Sequence, residues 1–181
     1  KSPTFTDYDE ALSKIESDAV LVATPDQFHC PFAIKAIESG RDVITEKPMA
    51  ENLADAQAMH DTAEANGKMV IVHQQLRWAP KFFHARKLLQ EGLIGRINHV
   101  DFNMTVYSGV CFEGYRSKLQ HLVLQDLGIH HLDLIRYLSD SKCESVYTMA
   151  WPNREEGKTI TSSTQTAISL KMSDGITARY A

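Results

Sequence analysis

The sequence predicts an α/β fold, in which part of a doubly wound parallel sheet precedes an α+β domain with a largely antiparallel sheet. Three short apolar runs alternate with helical segments between residues 19 and 72, as right-handed βαβ units require. From about residue 75 a helix is followed by several alternating segments, which is the order of an α+β domain. We therefore expect two domains, at residues 1–74 and 75–181.

The predicted strands of the first half are continuous apolar runs, which is typical of strands covered on both faces. They lie at 19–23, 42–45 and 69–72. A short helix is expected behind the acidic residues at 7–10. A second runs from Pro31, a favoured first-turn proline, to Ser39 before Gly40. A third begins behind the capping residue Asn52 and ends at Asn66-Gly67.

The second half is predicted to start with a helix from Pro80 that stops at Glu91-Gly92. A strand, a polar loop, a helix and two more strands follow, at 97–107, 108–118, 125–138, 144–151 and 161–172. Ile168, Leu170 and Met172 alternate onto one face of the last of these strands, and the turn 173–175 leads into the final segment.

Composition and charge exclude several classes of protein. Of the 181 residues, 43% are hydrophobic and 23% charged, as in an ordinary globular protein. A net charge of −4 without a basic cluster gives no footprint for nucleic acid, and no apolar run is long enough to span a membrane. Cys30, Cys111 and Cys143 show no CxxC spacing, which favours buried, reduced thiols in a cytoplasmic protein.

The ends of the chain suggest an internal segment of a longer protein. The chain opens on Lys1 and stops inside the apparent strand 176–181, and it contains no GxGxxG motif. The three parallel strands would then form the C-terminal half of a Rossmann-type sheet, with the glycine-rich turn upstream. A targeting signal upstream of Lys1 would not be visible here.

The first candidate site is Glu46-Lys47-Pro48, directly after the strand at 42–45. Ligands of open α/β sheets bind at the carboxyl ends of the strands, where this acid and amine would stand. The acid can accept hydrogen bonds from a sugar hydroxyl, and the amine can donate to a reacting oxygen. An X-Pro bond can also be cis where a turn aims the preceding side chain. The alternative is a solvated ion pair before a strand-ending proline.

The second candidate site lies on the helix at 125–138. Helical spacing places Asp126, His130, Asp133 and Tyr137 within a wedge of about 60°, with leucines and His131 on the opposite side. Three hypotheses remain open: a solvated polar face, a metal site using His130 and Asp133, and an acid–base pair in which Asp126 orients His130. Gly128 costs about 1 kcal/mol of helix propensity and so requires a reason such as close backbone approach.

Taken together, these motifs resemble the Gfo/Idh/MocA family of nicotinamide-dependent sugar and polyol oxidoreductases. Residues 18–29 are similar to its strand and TPxxxH turn, and 40–48 to its GkhVxxEKP signature. Residues 74–80 are similar to its NxRFxP segment, and 93–95 to its GxIG turn. Residues 126–133 match its DxGxHxxD helix.

The resemblance implies roles for individual residues. Thr24, Pro25 and His29 would line the nicotinamide ribose and diphosphate, and Glu46 would bind that ribose. Lys47 would stand between nicotinamide and substrate oxygen. Cofactor or substrate would also be approached by Gln75 and Arg77, while Asp126 and His130 would complete the catalytic set with Lys47. The implied cofactor is NAD or NADP, and no metal is expected.

The family pattern is not matched everywhere. His73 stands where glycine is common, Gln75 where asparagine is common, and Asp26 where asparagine is common. The resemblance implies a dehydrogenase that oxidises a sugar or polyol as a homodimer or homotetramer. The alternative that we weigh is a non-catalytic sugar- or nucleotide-binding sensor on the same scaffold.

Overall fold

The structure is a computed structural model that describes residues 2–105, 119–152 and 164–181. It divides into two compact units, Lys1–His73 and Gln74–Ala181, and each is described by itself. Within the described ranges, no helix is long and apolar enough to cross a membrane. The expected loop at 108–118 lies outside these ranges.

The first unit contains a parallel sheet, as the apolar runs predicted. Its described strands pair in the order β1-β2-β3, with β1 at Ala19–Val22, β2 at Asp42–Thr45 and β3 at Val70–Val72. Val22 pairs with Thr45, and Thr45 with Val72, so the three strands end level with one another. The residues that follow them therefore leave the sheet at the same edge.

Helix α1 (Tyr8–Lys14) precedes β1, and helices α2 (His29–Glu38) and α3 (Leu53–Ala65) connect β1 to β2 and β2 to β3. The predicted N-cap Asn52 accepts from the Asp55 N–H at 2.9 Å. Helix α1 begins within the acidic residues 7–10 rather than behind them, because the Asp7 carboxylate caps it by accepting from the Glu10 N–H at 2.7 Å.

Helix α2 starts two residues before the predicted Pro31. A 3₁₀ turn at Asp26–Phe28 runs directly into it, and a proline is tolerated throughout a first turn whose N–H groups have no helical partner. The helix ends before Gly40, which adopts the positive φ of 85° expected at a C-terminal stop.

The core of the first unit lies between the sheet and the helices α2 and α3. Its members are apolar and at most 5% exposed: Val22, Ala33, Ala36, Ile37, Val43, Met59 and Ala63. On the opposite face, Leu21, Ile44 and Ile71 form a row in register and are 64%, 37% and 51% exposed. Only one face of the sheet is thus packed within this unit.

The second unit combines helices with a mixed, mostly antiparallel sheet, which confirms the predicted fold class. Helix α4 (Pro80–Gln90) is followed by β4 (His99–Phe102), α5 (Ile129–Ser139), β5 (Cys143–Trp151), β6 (Gln165–Met172) and β7 (Thr177–Tyr180). The described strands pair in the order β4-β7-β6-β5, and only the β4–β7 pair is parallel. Strand β4 is shorter than the predicted 97–107, of which 106 and 107 lie outside the described residues.

The predicted inward face of β6 is confirmed, because Ile168, Leu170 and Met172 are 4%, 9% and 1% exposed. They pack with Ile135 and with residues of β7. Strand β5, by contrast, is exposed along nearly its whole length. Its Cys143 is exposed as well, so the expectation of buried thiols is wrong for that residue, whereas burial raises the pKa of the half-buried Cys30.

The helix predicted at 125–138 is not a continuous α-helix. Val123–Gly128 forms a π-helical segment, and α5 begins only at Ile129. A β-carbon on Gly128 would lie 3.2 Å from the Val123 carbonyl oxygen and 3.3 Å from Leu124 Cδ2. The close backbone approach expected for this glycine is therefore present. It occurs at the end of the π-helical segment, whose turns are wider than those of an α-helix.

We expect Gly128→Ala to lower the free energy of unfolding by about 1 kcal/mol, measured by denaturant titration. Alanine gains about 1 kcal/mol of helix propensity, but its methyl group meets a backbone oxygen that cannot move aside, and overpacking costs about 1–3 kcal/mol. Arg136→Ala, exposed on the same helix, is the control and should change the free energy by less than about 0.5 kcal/mol. A stabilised Gly128→Ala variant would contradict this account.

Candidate active site

In the first unit, the level ends of the parallel strands bring several predicted site residues to one edge. The Glu46 N–H donates to the Val22 carbonyl at 2.9 Å, and the His73 N–H donates to the Thr45 carbonyl at 2.8 Å. Main-chain hydrogen bonds of the sheet type thus extend one residue beyond β2 and β3. The positions of Glu46 and His73 are consequently fixed by the sheet, while their side chains project beyond it.

His29 ties two of the edge segments together. Its ring is fully buried, with Nδ1 2.7 Å from the Pro48 carbonyl oxygen and Nε2 2.9 Å from the Thr24 carbonyl oxygen. A carbonyl only accepts, so the number of protons on the ring decides how many of these bonds form. The segments after β1 and β2 therefore meet at one imidazole, and His29 acts on any ligand through the segments that it holds.

Glu46 pairs with a residue that the sequence had marked only as a departure from the family. His73 Nδ1 donates to Glu46 Oε1 at 2.8 Å, and both side chains are partly exposed. This hydrogen bond is the main cause that lowers the pKa of Glu46, with further lowering by the Lys47 backbone N–H and the Lys47 charge. Glu46 is thereby held as a carboxylate. The Lys47-Pro48 peptide bond beside it is cis.

The same edge contains a buried polar atom without a hydrogen bond. Among the described residues, the Thr24 hydroxyl has no partner. Buried hydroxyl groups are normally satisfied, so this one offers a contact to a bound polar group. The carboxyl edge of the sheet thus carries the Thr24 hydroxyl and the Glu46 carboxylate, which can accept a hydrogen bond from a hydroxyl group. This donor set fits the sugar part of a dinucleotide.

In the second unit, His130 is held by the segment that immediately follows β3. It is 7% exposed, and its Nδ1 lies 3.2 Å from the Gln74 amide oxygen. Because an amide oxygen only accepts, this contact places the proton of a neutral ring on Nδ1 and the proton-accepting lone pair on Nε2. Such a tautomer suits a proton acceptor. Gln74 is not among the site residues that the motifs predicted, although its position directly after a strand end was a usable signal.

Arg77 makes the second contact between this segment and α5. Its Nε and Nη2 donate to the two Asp133 oxygens at 2.7 and 2.5 Å, a bidentate ion pair. The pair raises the pKa of Arg77, and its guanidinium also lies 5.3 Å from the Tyr137 ring centre. A contact of Arg77 with the cofactor stays a prediction, as does one of Gln75, which is exposed in the 3₁₀ turn Gln75–Trp78.

The aspartate of the metal hypothesis is engaged in an ion pair. Both Asp133 oxygens accept from Arg77, and no group of three His, Cys, Asp or Glu in the described ranges could hold a metal ion. Asp126 lies in the π-helical segment rather than one α-turn before His130. Its part in the chemistry stays a prediction.

His131, which helical spacing placed among the leucines opposite His130, is a core residue. It is 5% exposed, shares a hydrogen bond of 3.2 Å with the Tyr180 hydroxyl and stacks on Phe102 with ring centres 4.4 Å apart. Burial, and then the neighbouring His130, lower its pKa. Consecutive histidines thus have different environments.

Comparison with known proteins identifies the family. Residues 1–74 match the oxidoreductase family described as NAD-binding Rossmann fold, and residues 82–181 match the GFO/IDH/MocA C-terminal domain. The chain therefore belongs to the Gfo/Idh/MocA oxidoreductases, as its motifs suggested, and its cofactor class is that of an NAD-binding family.

Individual relatives are enzymes of sugars and polyols. D-apiose dehydrogenase of Paraburkholderia graminis is 33% identical over 74% of this chain, and inositol 2-dehydrogenase of Corynebacterium glutamicum is 29% identical over 78%. The matches cover 36% and 41% of those proteins. An oxidoreductase from Agrobacterium radiobacter, solved with NAD⁺, L-tartaric acid and magnesium, superposes with a TM-score of 0.86 at 25% identity. That match covers 96% of this chain and 50% of the other, so the chain spans about a third to a half of its relatives' length.

We expect Asp133→Asn to lower the free energy of unfolding by about 1–3 kcal/mol. The Asp133 side chain is only 12% exposed, so water cannot fully compensate for the loss of its charge. The substitution leaves Arg77 without a counter-ion and replaces charge-assisted hydrogen bonds by weaker ones to a neutral amide. Asp9→Asn is the matched control, since the Asp9–Lys35 pair is solvent-exposed and should contribute less than about 0.5 kcal/mol. Equal effects of the two variants in chemical denaturation would show that the Arg77–Asp133 pair does not stabilise the fold.

Proposed function

We propose that the protein containing this chain is an NAD(P)-dependent dehydrogenase that oxidises a CH–OH group of a sugar, polyol or related hydroxy compound. The observation that carries this proposal is the buried His130, whose Nδ1 is held by the Gln74 amide oxygen. Family membership and the named sugar and polyol dehydrogenases among the relatives support it. No observation favours the non-catalytic sensor.

The proposed chemistry assigns one task to each side chain. A bound nicotinamide dinucleotide would supply the hydride acceptor, and the chain supplies the groups that bind, orient and deprotonate. His130 takes the hydroxyl proton at Nε2, because Nδ1 already donates to Gln74. Lys47 stabilises the negative charge that develops on the substrate oxygen. Asp126 supports the proton step.

The remaining site residues are proposed to bind the cofactor. The Thr24 hydroxyl donates to a sugar or phosphate oxygen, the Glu46 carboxylate accepts from a sugar hydroxyl, and Pro25 shapes the turn beside them. His29 holds Thr24 and Pro48 in place, while Gln75 and Arg77 border the cofactor or substrate. We propose further that residues 1–74 are part of a dinucleotide-binding domain and 75–181 part of a substrate and oligomerisation domain.

The first functional prediction is that His130→Ala lowers turnover by about 10²–10⁴-fold in the full-length protein, the usual contribution of a positioned acid–base group. Cofactor affinity should change little. Lys47→Ala should lower turnover and weaken cofactor binding as well. Steady-state kinetics on a polyol panel, with NADH binding followed by fluorescence, separates the two effects.

His84→Ala, exposed on α4, is the control for loss of an imidazole and should leave turnover unchanged. Near-normal turnover of His130→Ala would exclude the proposed proton acceptor. A ligand-bound crystal structure in which Lys47 and His130 do not reach the same substrate oxygen would exclude the shared step.

The second functional prediction concerns assembly. Strand β5 exposes Val146, Tyr147, Met149 and Trp151 by 60%, 67%, 50% and 41%, an apolar edge strand of the kind that pairs with another chain. We expect a homodimer or homotetramer at micromolar concentration by light scattering. Tyr147→Lys should weaken assembly about tenfold or more, whereas Leu93→Lys, equally exposed outside the sheet, should not. A monomeric parent protein would contradict this proposal.

A further inference from the structure

The Glu46–His73 pair stands out because the sequence pattern of the family does not require it. The family resemblance implies a glycine at the position of His73, and a glycine could not contact Glu46 through a side chain. In this chain the imidazole Nδ1 donates to Glu46 Oε1 at 2.8 Å. The acid expected to bind a cofactor hydroxyl therefore has a titratable partner of its own.

The register of the parallel sheet brings Glu46 and His73 together. Thr45 and Val72 are partners in the parallel register, so Glu46 and His73 are the next residues along the two neighbouring strands. Hydrogen bonds from both main-chain N–H groups, to Val22 and Thr45, keep them there. An acid and an imidazole at these positions are thus brought into hydrogen-bonding distance by the register itself.

We propose that His73 is a positioning residue for the dinucleotide: it orients the Glu46 carboxylate towards a sugar hydroxyl and weakens that contact when the imidazole becomes a cation. This inference rests on the proposed function. While His73 is neutral, its Nδ1–H fixes the carboxylate and leaves the negative charge to attract a hydroxyl donor. Once the imidazole is protonated, the same carboxylate belongs to an ion pair and is a poorer acceptor.

The charged surroundings agree with this assignment. The groups that act on Glu46 are His73, Lys47 through its charge, and the Lys47 backbone N–H, and together they lower the pKa of the carboxyl group. Glu46 is consequently the negatively charged member of the pair, and imidazole is the side-chain type that can gain a proton within the physiological pH range.

The test measures NADH binding to the full-length protein by fluorescence between about pH 8 and about pH 5.5, where imidazole titrates. The dissociation constant of the unchanged protein should rise about three- to tenfold as the pH falls. His73→Asn keeps an N–H donor but has no charge to gain, so it should match the unchanged protein at pH 8 and show a flat profile. His73→Ala should bind about threefold more weakly at pH 8, also without pH dependence. His60→Asn, exposed on α3, is the control and should titrate like the unchanged protein.

A measurement without cofactor tests the pair directly. Nitrogen NMR of the imidazole at pH 8 should show the Nδ1–H tautomer at His73, and Glu46→Ala should abolish that preference. An Nε2–H tautomer in the unchanged protein would overturn the inference even if NADH binds. So would tight NADH binding with a flat pH profile, or a His73→Asn variant that titrates normally. Absence of NADH and NADPH binding at every pH would instead overturn the proposed function, and this inference with it.

Discussion

The common register of the parallel strands is the constraint on which the candidate site depends. Strands β1, β2 and β3 end level, so the segments behind them emerge at one edge of the sheet. The buried His29 ring then bonds to carbonyl groups of two of these segments. A shift of β2 by one residue would turn Glu46 to the opposite face and separate it from His73. The positions of the candidate site residues at this edge are therefore set by backbone pairing.

The second unit positions the candidate catalytic helix α5 through side-chain contacts. Gln74 and Arg77 are three residues apart in the segment after β3, and they contact His130 and Asp133, which are also three residues apart on α5. The equal spacing allows both contacts to form at once, because one turn of the segment after β3 lies along one turn of α5. Tyr137, one further turn along, receives the guanidinium of Arg77 on its ring. The amide of Gln74 thus contacts the imidazole itself, and the ion pair fixes the helix that carries it.

Much of this organisation could be predicted from the sequence because it depends on local chemistry. Apolar runs predicted the parallel strands, Asn52 predicted the start of α3, and the alternation of residues in β6 predicted its buried face. The π-helical segment Val123–Gly128 could not be predicted, since the same apolar spacing is compatible with a continuous α-helix.

Partners in space were harder to predict than positions in the chain. Asp133 was correctly placed on one face with His130, but its ion pair with Arg77 joins residues 56 positions apart. His73 appeared only as an unusual residue until the register placed it beside Glu46. Pairings of this kind depend on the tertiary structure, and patterns in one sequence do not indicate which distant residues will meet.

The buried stack of His131, Phe102 and Tyr180 makes the second unit sensitive to acid. Burial lowers the pKa of His131, so the folded chain does not take up a proton that the unfolded chain binds below about pH 6.5. As the pH falls through that value, proton uptake by the unfolded state draws the equilibrium towards unfolding. The ring that anchors α5 on the sheet therefore stabilises the fold around the neighbouring His130 less in acid than at neutral pH.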